Sequence, residues 1–448
     1  MTAREQTQKL PPLLKYPGGK ERELKYILPH LPREGERFFD PFVGGGAVYF
    51  SLACNEYFIN DKSEELMRLY EMVRSQNEEF LSALTAADHA WTGLEKVLAQ
   101  HYDKMLNIYR RYKSGIGSSA DFKEKAKEEV PGAASEVLFP EDEIGQLMFQ
   151  GTIGKTNTEF ETGEGYFGTT DCRTMTAEEL SESIDEFIDS NEEELLALLD
   201  ERISFSPVIF LEELKRNLRN KLIRMAKLEQ KKGDLSPQDL TANLEGALKA
   251  GFYMYFRYLY NHTQELSVSE PVATAVWLFV REFCYASMYR YNQNGEFNVP
   301  YGGISYNQKS ILKKVRYFKD EALLEQLQKT VIGCMDFEGF LNLYEPREND
   351  FVFLDPPYDT EFSTYARNEF GRNAHLRLAN YLINHCRGQF MLIIKNTDFI
   401  RNLYCHGMDT ANGQRIYVTS FAKKYTVSFQ ERNDKNSEHL LITNYEIT

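Results

Sequence analysis

A glycine-rich turn between two short apolar segments constrains the fold of this chain more than any other feature. Arg37-Phe38-Phe39-Asp40 is typical of a β-strand, Val43-Gly44-Gly45-Gly46 follows it, and Ala47–Ala53 suits a helix. A second predicted strand, Tyr57–Asn60, ends at Asp61, which lies roughly 20 residues after Asp40. This arrangement is typical of nucleoside-binding α/β proteins, in which the loop backbone faces the ligand and the acid accepts hydrogen bonds from ribose hydroxyls.

The glycine loop does not have the full GxGxxG pattern of dinucleotide-binding enzymes, because Tyr49 lies where the third glycine would be. Its form, Phe42-x-Gly44-x-Gly46, suits a cofactor that has no pyrophosphate. A tight strand-to-helix turn without a ligand is the alternative if this segment is considered alone.

Five further segments have the composition of buried strands. They are Val331–Met335, Phe351–Leu354, Phe390–Ile394, Tyr417–Thr419 and His439–Thr443. Together with the first two, they predict an α/β fold with one doubly wound, seven-stranded mixed sheet that is assembled from two separated stretches of sequence.

The chain of 448 residues is long enough for two or three domains. We predict a discontinuous α/β domain from residues 1–118 and 328–448, a helical insertion at 119–265, and a separate region at 266–327. The net charge is −15, but 19 acidic residues and only two basic ones lie between Glu136 and Glu201, so the remainder is slightly basic. Within the insertion, Lys215–Lys232 is predicted to be a basic helix that pairs with acidic residues of the same insertion.

The bulk composition indicates a cytoplasmic protein. The six cysteines are scattered without a CxxC pattern, which favours reduced thiols over a disulfide framework or a zinc site. The polar segment Met1–Lys9 does not look like a signal peptide, and the apolar stretch Val272–Val280 is too short to span a bilayer. We therefore expect no membrane partner and no metal.

A second motif carries the chemistry. Asp355-Pro356-Pro357-Tyr358 follows the apolar run Phe351–Leu354 and places a carboxylate, a rigid carbonyl-presenting edge and an aromatic ring in one loop. These groups suit a flat ring that carries an exocyclic amino group, because they offer acceptors for its N–H bonds and a surface for stacking. A turn that merely ends a strand is the alternative.

Four motifs in this order resemble the DNA adenine methylase (Dam) family of N6-adenine methyltransferases. They are Lys15–Lys20 (KYPGGK), Asp40–Gly46 (DPFVGGG), Tyr289–Gly302 (YRYNQNGEFNVPYG) and Asp355–Tyr358 (DPPY). The resemblance implies a class I methyltransferase fold, S-adenosylmethionine as the cofactor, double-stranded DNA as the partner, and a DNA target-recognition role for region 266–327. It covers roughly 300 residues and leaves the insertion without a counterpart.

The resemblance also implies roles for individual residues. For the cofactor these are Tyr16, Lys20, Phe42, Gly44, Gly46, Asp61, Asp336, Phe337 and Asp355, with Lys20 as a partner for the methionine carboxylate, Asp61 at the ribose and Asp336-Phe337 at the adenine. For catalysis they are Asp355 and the carbonyl of Pro356, which would accept the two N6–H bonds of adenine, and Tyr358, which would stack on the flipped base.

The DNA-binding candidates lie in and after the third motif. They are Arg290, Asn292, Asn298, Pro300, Tyr301, Lys309 and Lys313. Arg290 is the candidate for reading a base edge, with phosphate contact as the alternative. Asn298 and Tyr301 would order the loop or serve as buried scaffolding, and the lysines would contact phosphates or form a solvated helix face. The chain lacks the Arg-Tyr pair expected after Gly302 in readers of GATC, so the recognition sequence is left open.

The leading hypothesis is a site-specific DNA adenine N6-methyltransferase. Methylation of RNA adenine or of cytosine N4, and a catalytically silent DNA-binding regulator, are the alternatives. The sequence leaves open the oligomeric state and the presence of a cognate restriction enzyme. It also leaves open the role of the insertion, which would extend the DNA footprint, mediate dimerisation or mask the DNA cleft. A solvated accessory domain is the alternative, and it is preferred for the acidic part.

Overall fold

The computed structural model describes residues 10–16, 18–32, 36–116, 175–358, 370–424 and 436–447. The chain divides into two compact units. Unit 1 consists of Met1–Leu81, Ser287–Val299 and Lys313–Thr448, and unit 2 consists of Ser82–Ala286 and Pro300–Leu312. The sheet lies in unit 1, whereas unit 2 is helical.

Unit 1 contains one sheet of seven strands. The strands are β1 (Arg37–Asp40), β2 (Glu56–Asn60), β3 (Thr330–Gly333), β4 (Phe351–Leu354), β5 (Gln389–Lys395), β6 (Tyr417–Lys424) and β7 (Asn436–Thr443). Their spatial order is β3-β2-β1-β4-β5-β7-β6. The first five strands in this order are parallel to one another, and β7 runs antiparallel to both β5 and β6. The predicted seven-stranded mixed sheet is therefore confirmed, with every strand at its predicted place.

The helices of the described ranges follow in chain order. They are α1 (Leu24–Ile27), α2 (Glu64–Arg74), α3 (Glu78–Ile116), α4 (Ala177–Ser190), α5 (Glu192–Leu196), α6 (Pro207–Lys232), α7 (Pro237–Asn261), α8 (Glu270–Phe283), α9 (Leu312–Tyr317), α10 (Glu321–Gln328), α11 (Phe337–Tyr344), α12 (Arg372–Asn384) and α13 (Asp398–Leu403). None of them combines the length and the apolar composition that crossing a membrane requires.

The helix predicted at Ala47–Ala53 is wrong. Only Tyr49–Ser51 forms a 3₁₀ turn, and the backbone is already extended at Leu52. The reason lies in β2: the Tyr57 hydroxyl donates to the Leu52 carbonyl at 3.0 Å and accepts from the Cys54 N–H at 2.7 Å. These backbone groups would otherwise continue a helix, so a side chain of the next strand ends it early.

Aromatic and aliphatic side chains form the core of unit 2. Trp91 on α3 is fully buried and lies 5.6 Å from Phe279 on α8 and 6.2 Å from Phe252 on α7, measured between ring centroids. Long helices stack their apolar stripes on this core, which agrees with the predicted helical character of the described part of the insertion.

The basic helix α6 pairs with the acidic helix α4, as predicted. Lys215 Nζ lies 2.7 Å from Asp189 Oδ1, and Arg219 Nη2 lies 3.9 Å from Asp185 Oδ1. The part of the acidic block before residue 175 lies outside the described residues. Unit 2 begins at Ser82, well before the predicted start of the insertion at 119, and the functional division into three regions stays a prediction.

Candidate active site

The carboxyl ends of four neighbouring strands bring the predicted residues of unit 1 together. Their spatial order is β3-β2-β1-β4. β1 ends at Asp40, and the ends of β3, β2 and β4 are followed by Asp336, Asp61 and Asp355, respectively. Carboxyl ends of parallel strands meet at one edge of a sheet, where α/β proteins bind their ligands. Residues separated by about 300 positions in the sequence thus share one edge because of strand order.

Asn60 holds this edge together. It is buried at the end of β2, and its side-chain amide donates to the carbonyls of Pro41 at 3.1 Å and Met335 at 3.0 Å. Its Oδ1 accepts the Met335 N–H at 2.9 Å. Asn60 therefore fixes the segments that follow β1 and β3, and the sequence reasoning assigned it no role. The available signal was an amide at the end of an otherwise apolar strand, directly before Asp61.

The glycine loop is closely packed on both sides. Gly46 has φ +83°, and a Cβ there would lie 2.6 Å from Tyr70 Oη and 2.7 Å from the Phe50 ring. A Cβ on Gly45 would lie 2.5 Å from the Leu14 carbonyl oxygen. Only glycine fits such a turn, because it has no Cβ and adopts positive φ without strain. The loop is thus shaped by its neighbours as well as by its own sequence.

Asp61 is tied to the same loop. Its Oδ2 accepts the Gly44 N–H at 3.2 Å, and its Oδ1 accepts the Ser63 N–H at 2.9 Å. Tyr16 packs on the other side, since a Cβ on Gly44 would lie 3.2 Å from the Tyr16 ring. Gly44, Asp61 and Tyr16, three of the predicted cofactor-binding residues, are therefore neighbours in the structure.

The DPPY turn is joined to the KYPGGK segment through Lys20. Lys20 is buried, with a relative exposure of 3%, and its Nζ donates to Asp355 Oδ2, to the Gly18 carbonyl at 3.0 Å and to Tyr358 Oη at 2.9 Å. Tyr358 Oη also lies 3.4 Å from Asp355 Oδ1. These bonds link Lys20 to two of the predicted catalytic residues. Contact between Lys20 and a cofactor stays a prediction.

Tyr358 is also supported from β7. The His439 ring, which is fully buried, meets the Tyr358 ring edge-on, with 5.1 Å between centroids and 90° between planes. The sequence predicted only a strand in this part of the chain and no role for His439.

Three aromatic rings form a wall beside the loop. The Phe42 and Phe337 centroids are 5.5 Å apart, and Phe370 lies 5.4 Å from Phe42 and 5.6 Å from Phe337. The adjacent Asp336 caps α11 by accepting the Glu338 N–H at 3.1 Å, and Arg377 pairs with Asp336. Phe42, Asp336 and Phe337 were predicted, whereas Phe370 and Arg377 were missed because no motif includes them.

Several carboxyl groups lie close together at this edge, where burial disfavours their charged forms. Burial raises the pKa of Asp40 well above its usual value. The hydrogen bond from the Phe42 N–H and the charge of Lys20 lower this pKa, whereas the nearby Asp355 and Asp61 raise it. Burial likewise raises the pKa of Asp61, opposed by hydrogen bonds from the Ser63, Gly44 and Lys62 backbone. The site therefore favours a ligand that brings positive charge or hydrogen-bond donors.

We expect Asp40→Asn to increase thermal stability at neutral pH and to flatten its pH dependence. Because the folded-state pKa of Asp40 is raised above 3.8, the folded protein binds more protons than the unfolded chain in the window above that value. The free energy of unfolding contributed by this group therefore falls as pH rises from 3.8 through the raised pKa. Thermal unfolding between about pH 5 and 8 measures this, with the exposed Asp409→Asn as control. A profile unchanged from wild type would contradict the expectation.

The motif at Tyr289–Gly302 begins as a hairpin in unit 1. Tyr291 and Phe297 form an antiparallel bridge, and Asn292 closes the turn by accepting the N–H groups of Asn294 at 3.0 Å and Glu296 at 2.9 Å. Asn292 thus shapes the hairpin.

Arg290 is held by Asn298 across this hairpin. Its Nε donates to Asn298 Oδ1 at 2.8 Å and its Nη2 donates to the Asn298 carbonyl at 3.1 Å. Asn298 therefore holds the Arg290 side chain, and its role in ordering a DNA-recognition loop stays a prediction. Base reading by Arg290 stays a prediction.

The remaining DNA-binding candidates are distributed over both units. In unit 2, Tyr301 is buried and donates to Asn307 Oδ1 at 3.0 Å, which favours a role as buried scaffolding. The Pro300 carbonyl accepts the Tyr285 N–H at 2.9 Å. Lys309 Nζ pairs with Glu282 at 2.7 Å. In unit 1, Lys313 is exposed on α9.

No group of three or more His, Cys, Asp or Glu residues in the described part of the chain is arranged to hold a metal ion. The cysteines within it, at positions 54, 284, 334, 386 and 405, are free thiols.

Comparison with known proteins identifies relatives of this site. The family model of the D12 class N6 adenine-specific DNA methyltransferases matches residues 16–110 and 213–420. The type II methyltransferase M.CviBI of Paramecium bursaria Chlorella virus NC1A is 35% identical over 173 residues, which are 37% of this chain and 59% of that protein. The retron Ec67 DNA adenine methylase of Escherichia coli is 30% identical over 151 residues, 32% of this chain and 50% of that protein.

The DNA adenine methylase of Haemophilus influenzae is 29% identical over 160 residues, 33% of this chain and 52% of that protein. The chain thus spans about half to three fifths of the length of these curated relatives. The internal stretch that the family model leaves unmatched, 111–212, includes α4 and α5.

Proposed function

Because the chain belongs to the D12 class N6 adenine-specific DNA methyltransferase family, we propose that it methylates N6 of an adenine flipped out of duplex DNA, with S-adenosylmethionine as the methyl donor. The observation that carries the proposal is the position of Asp355, Pro356 and Tyr358 beside the loop of Gly44 and Gly46, at one edge of the sheet. Unit 1 thus combines two acceptors for an amino group, Asp355 and the Pro356 carbonyl, with a glycine loop that suits a nucleoside cofactor.

The residues of this edge fit the cofactor. Gly46 lets the loop pack against Tyr70 and Phe50, where a Cβ would collide, and the loop would present its backbone to the ligand. The Asp61 carboxylate suits ribose hydroxyls, and the Phe42–Phe337 wall suits an apolar or aromatic surface. When bound, S-adenosylmethionine supplies an activated methyl group on a positively charged sulfur. That charge would favour the ionised forms of the nearby Asp40 and Asp61, whose pKa values burial raises, and Asp355 would add to the complementary charge.

The DPPY turn would prepare the acceptor. The lone pair of the adenine N6 is delocalised into the ring and is a poor nucleophile. If the Asp355 carboxylate and the Pro356 carbonyl accept the two N6–H bonds, the lone pair is released from conjugation with the ring and is available for attack. Stacking on Tyr358 would offset part of the few kcal/mol that removing a base from the duplex costs. Positioning and electrostatics then suffice, without a covalent enzyme intermediate.

Modification-sensitive long-read sequencing of DNA from cells that express the protein tests this function. We expect N6-methyladenine in one sequence context, which is also the context that a cognate restriction enzyme would have to recognise. A soluble, cofactor-binding protein that leaves no mark on DNA would contradict the proposal. Assays on RNA and on cytosine-containing DNA would then separate the alternative substrates from a silent DNA-binding protein.

Helix α6 offers a surface for DNA phosphates in unit 2. Four exposed basic residues lie on one side of this helix, because they are three, four or twice four positions apart. They are Arg216, Arg224, Lys227 and Lys231. The positions from 216 to 231 span roughly 22 Å along the helix axis. Arg216 also pairs with Glu213 of the same helix, whereas Lys215 and Arg219 pair with acids of α4. The insertion would thus extend the DNA footprint through its exposed basic face.

Neutralising this face should weaken DNA binding in a salt-dependent manner. We expect the triple variant Arg224→Gln, Lys227→Gln and Lys231→Gln to reduce the magnitude of the slope of log K against log salt concentration by about 2–3. The reason is that each phosphate contact that is lost no longer releases counterions from the DNA. Fluorescence anisotropy with a labelled duplex at several salt concentrations measures the slope. The control pair Lys215→Gln and Arg219→Gln should change it by less than about one. Equal slopes for the triple variant and wild type would contradict the assignment.

A further inference from the structure

We propose that Lys20 acts as a positioning residue for Asp355 and Tyr358, so that its main effect is on methyl transfer instead of cofactor affinity. The proposal rests on the proposed function, but part of its test does not require activity. It differs from the expectation that Lys20 serves as the partner of the cofactor's carboxylate.

The burial of Lys20 is the first reason. Lysine is almost never fully buried unless it is paired, since an ammonium loses its hydration there. Lys20 has a relative exposure of 3%, and the side chain of its ionic partner Asp355 has 18%. The charge is thus placed inside the site, and Asp355 compensates for it.

The hydrogen-bond geometry is the second reason. An ammonium has three N–H donors, and the acceptors Asp355 Oδ2, Gly18 O and Tyr358 Oη match that number. A cofactor carboxylate would have to displace one of these acceptors. The same contacts already connect Lys20 to the residues that hold the target base.

The backbone of Lys20 is fixed as well. Its carbonyl accepts the N–H groups of Glu23 at 3.0 Å and Leu24 at 2.9 Å, and the preceding Gly19 N–H donates to the Tyr16 carbonyl at 3.0 Å. The ammonium therefore extends from a hydrogen-bonded turn, so that it can hold other groups in place.

The consequence concerns the orientation of the carboxylate and of the ring in the DPPY turn. Lys20 engages Asp355 Oδ2, and the Tyr358 hydroxyl lies 3.4 Å from Asp355 Oδ1. Lys20 and the His439 ring together set the orientation of the Tyr358 ring. The carboxylate and the stacking surface are thereby pre-oriented before the base arrives.

Two kinetic constants separate positioning from cofactor binding. For Lys20→Met we expect the single-turnover methylation rate at saturating cofactor to fall about 10²-fold, because misplaced reacting groups cost that much. The Kd for S-adenosylmethionine, measured by calorimetry, should stay within about threefold of wild type. Lys25→Met, an exposed lysine on α1, should leave both constants unchanged. A rate near wild type together with a Kd at least about tenfold higher would overturn the proposal.

The variant Tyr358→Phe provides a second test, because it keeps the ring and removes only the hydroxyl that Lys20 contacts. If Lys20 acts through the DPPY turn, the double variant with Lys20→Met should lose much less rate than the product of the two single losses. Independent, multiplicative losses would count against a shared role.

A stability cycle tests the contact without any activity. Removing one partner of a buried ion pair leaves the other charge uncompensated. Lys20→Met and Asp355→Asn should each lower the unfolding temperature. The decrease for the double variant should be smaller than the sum of the two single decreases. Additive decreases would overturn the pairing on which the proposal depends. An inactive wild type that shows this coupling would contradict the proposed function while the pairing stands.

Discussion

Asp355→Ala is expected to slow methylation strongly while the protein, although less stable, stays folded and binds DNA. The carboxylate is one of the two acceptors that would release the N6 lone pair, and removing a preorganised electrostatic group of this kind costs on the order of 10²–10³-fold in rate. Pro356 would still present its carbonyl and Tyr358 its ring, so the base would dock without being activated. Single-turnover transfer of labelled methyl groups to duplex DNA measures the loss.

The same variant serves as the control for sequencing in cells. DNA from cells that express Asp355→Ala should carry no mark in the context that the wild type methylates. The matched variant Asp350→Asn changes another buried carboxylate at the opposite end of β4, where Asp350 pairs with Arg37. It should reduce stability but retain the methylated context. Retention of the full rate by Asp355→Ala would exclude the assigned role of this residue.

Gly46→Ala is expected to destabilise unit 1 and to weaken cofactor binding. A Cβ there would lie 2.6 Å from Tyr70 Oη and 2.7 Å from Phe50, and the residue has φ +83°. Overpacking of this kind costs about 1–3 kcal/mol, and a left-handed backbone costs an L-residue about 1–2 kcal/mol more. Displacement of the loop should raise the Kd for S-adenosylmethionine about tenfold or more.

Gly413→Ala is the matched control, because Gly413 also has positive φ, +74°, but a Cβ there would have no heavy atom within 4 Å. Gly413→Ala should lower the free energy of unfolding only by the cost of the left-handed backbone, and it should leave the Kd for S-adenosylmethionine unchanged. Calorimetric unfolding and isothermal titration of both variants measure the difference. Equal losses of stability would mean that backbone strain, and not the packing of the loop, determines the effect at Gly46.

The strand pattern was predictable because buried parallel strands are continuous apolar runs between polar loops. All seven strands lie where the runs indicated. The segment after Gly46 was predicted as a helix from its composition, and the prediction failed because the Tyr57 hydroxyl, from the next strand, binds the backbone of Leu52 and Cys54. A hydrogen bond from a neighbouring strand has no signature in the composition of the segment that it ends.

Site residues were predictable where a motif preserves their spacing. Asp61 and Gly44 belong to a local pattern, and they are hydrogen-bonded to each other. Asn60, His439 and Phe370 were missed, because each contributes through a contact with a distant segment and none lies in a motif with known chemistry.

By itself, the sequence determined the residue types, the order of the motifs and the alternation of apolar runs with turns, and these suffice for the fold class and the family. Only the tertiary structure decided which motifs meet. Strand order places β4 beside β1, and a buried ammonium then joins Lys20 to Asp355 across 335 positions of the chain. The physical reason is that local sequence sets backbone preferences, whereas the partner of a buried charge is chosen by packing.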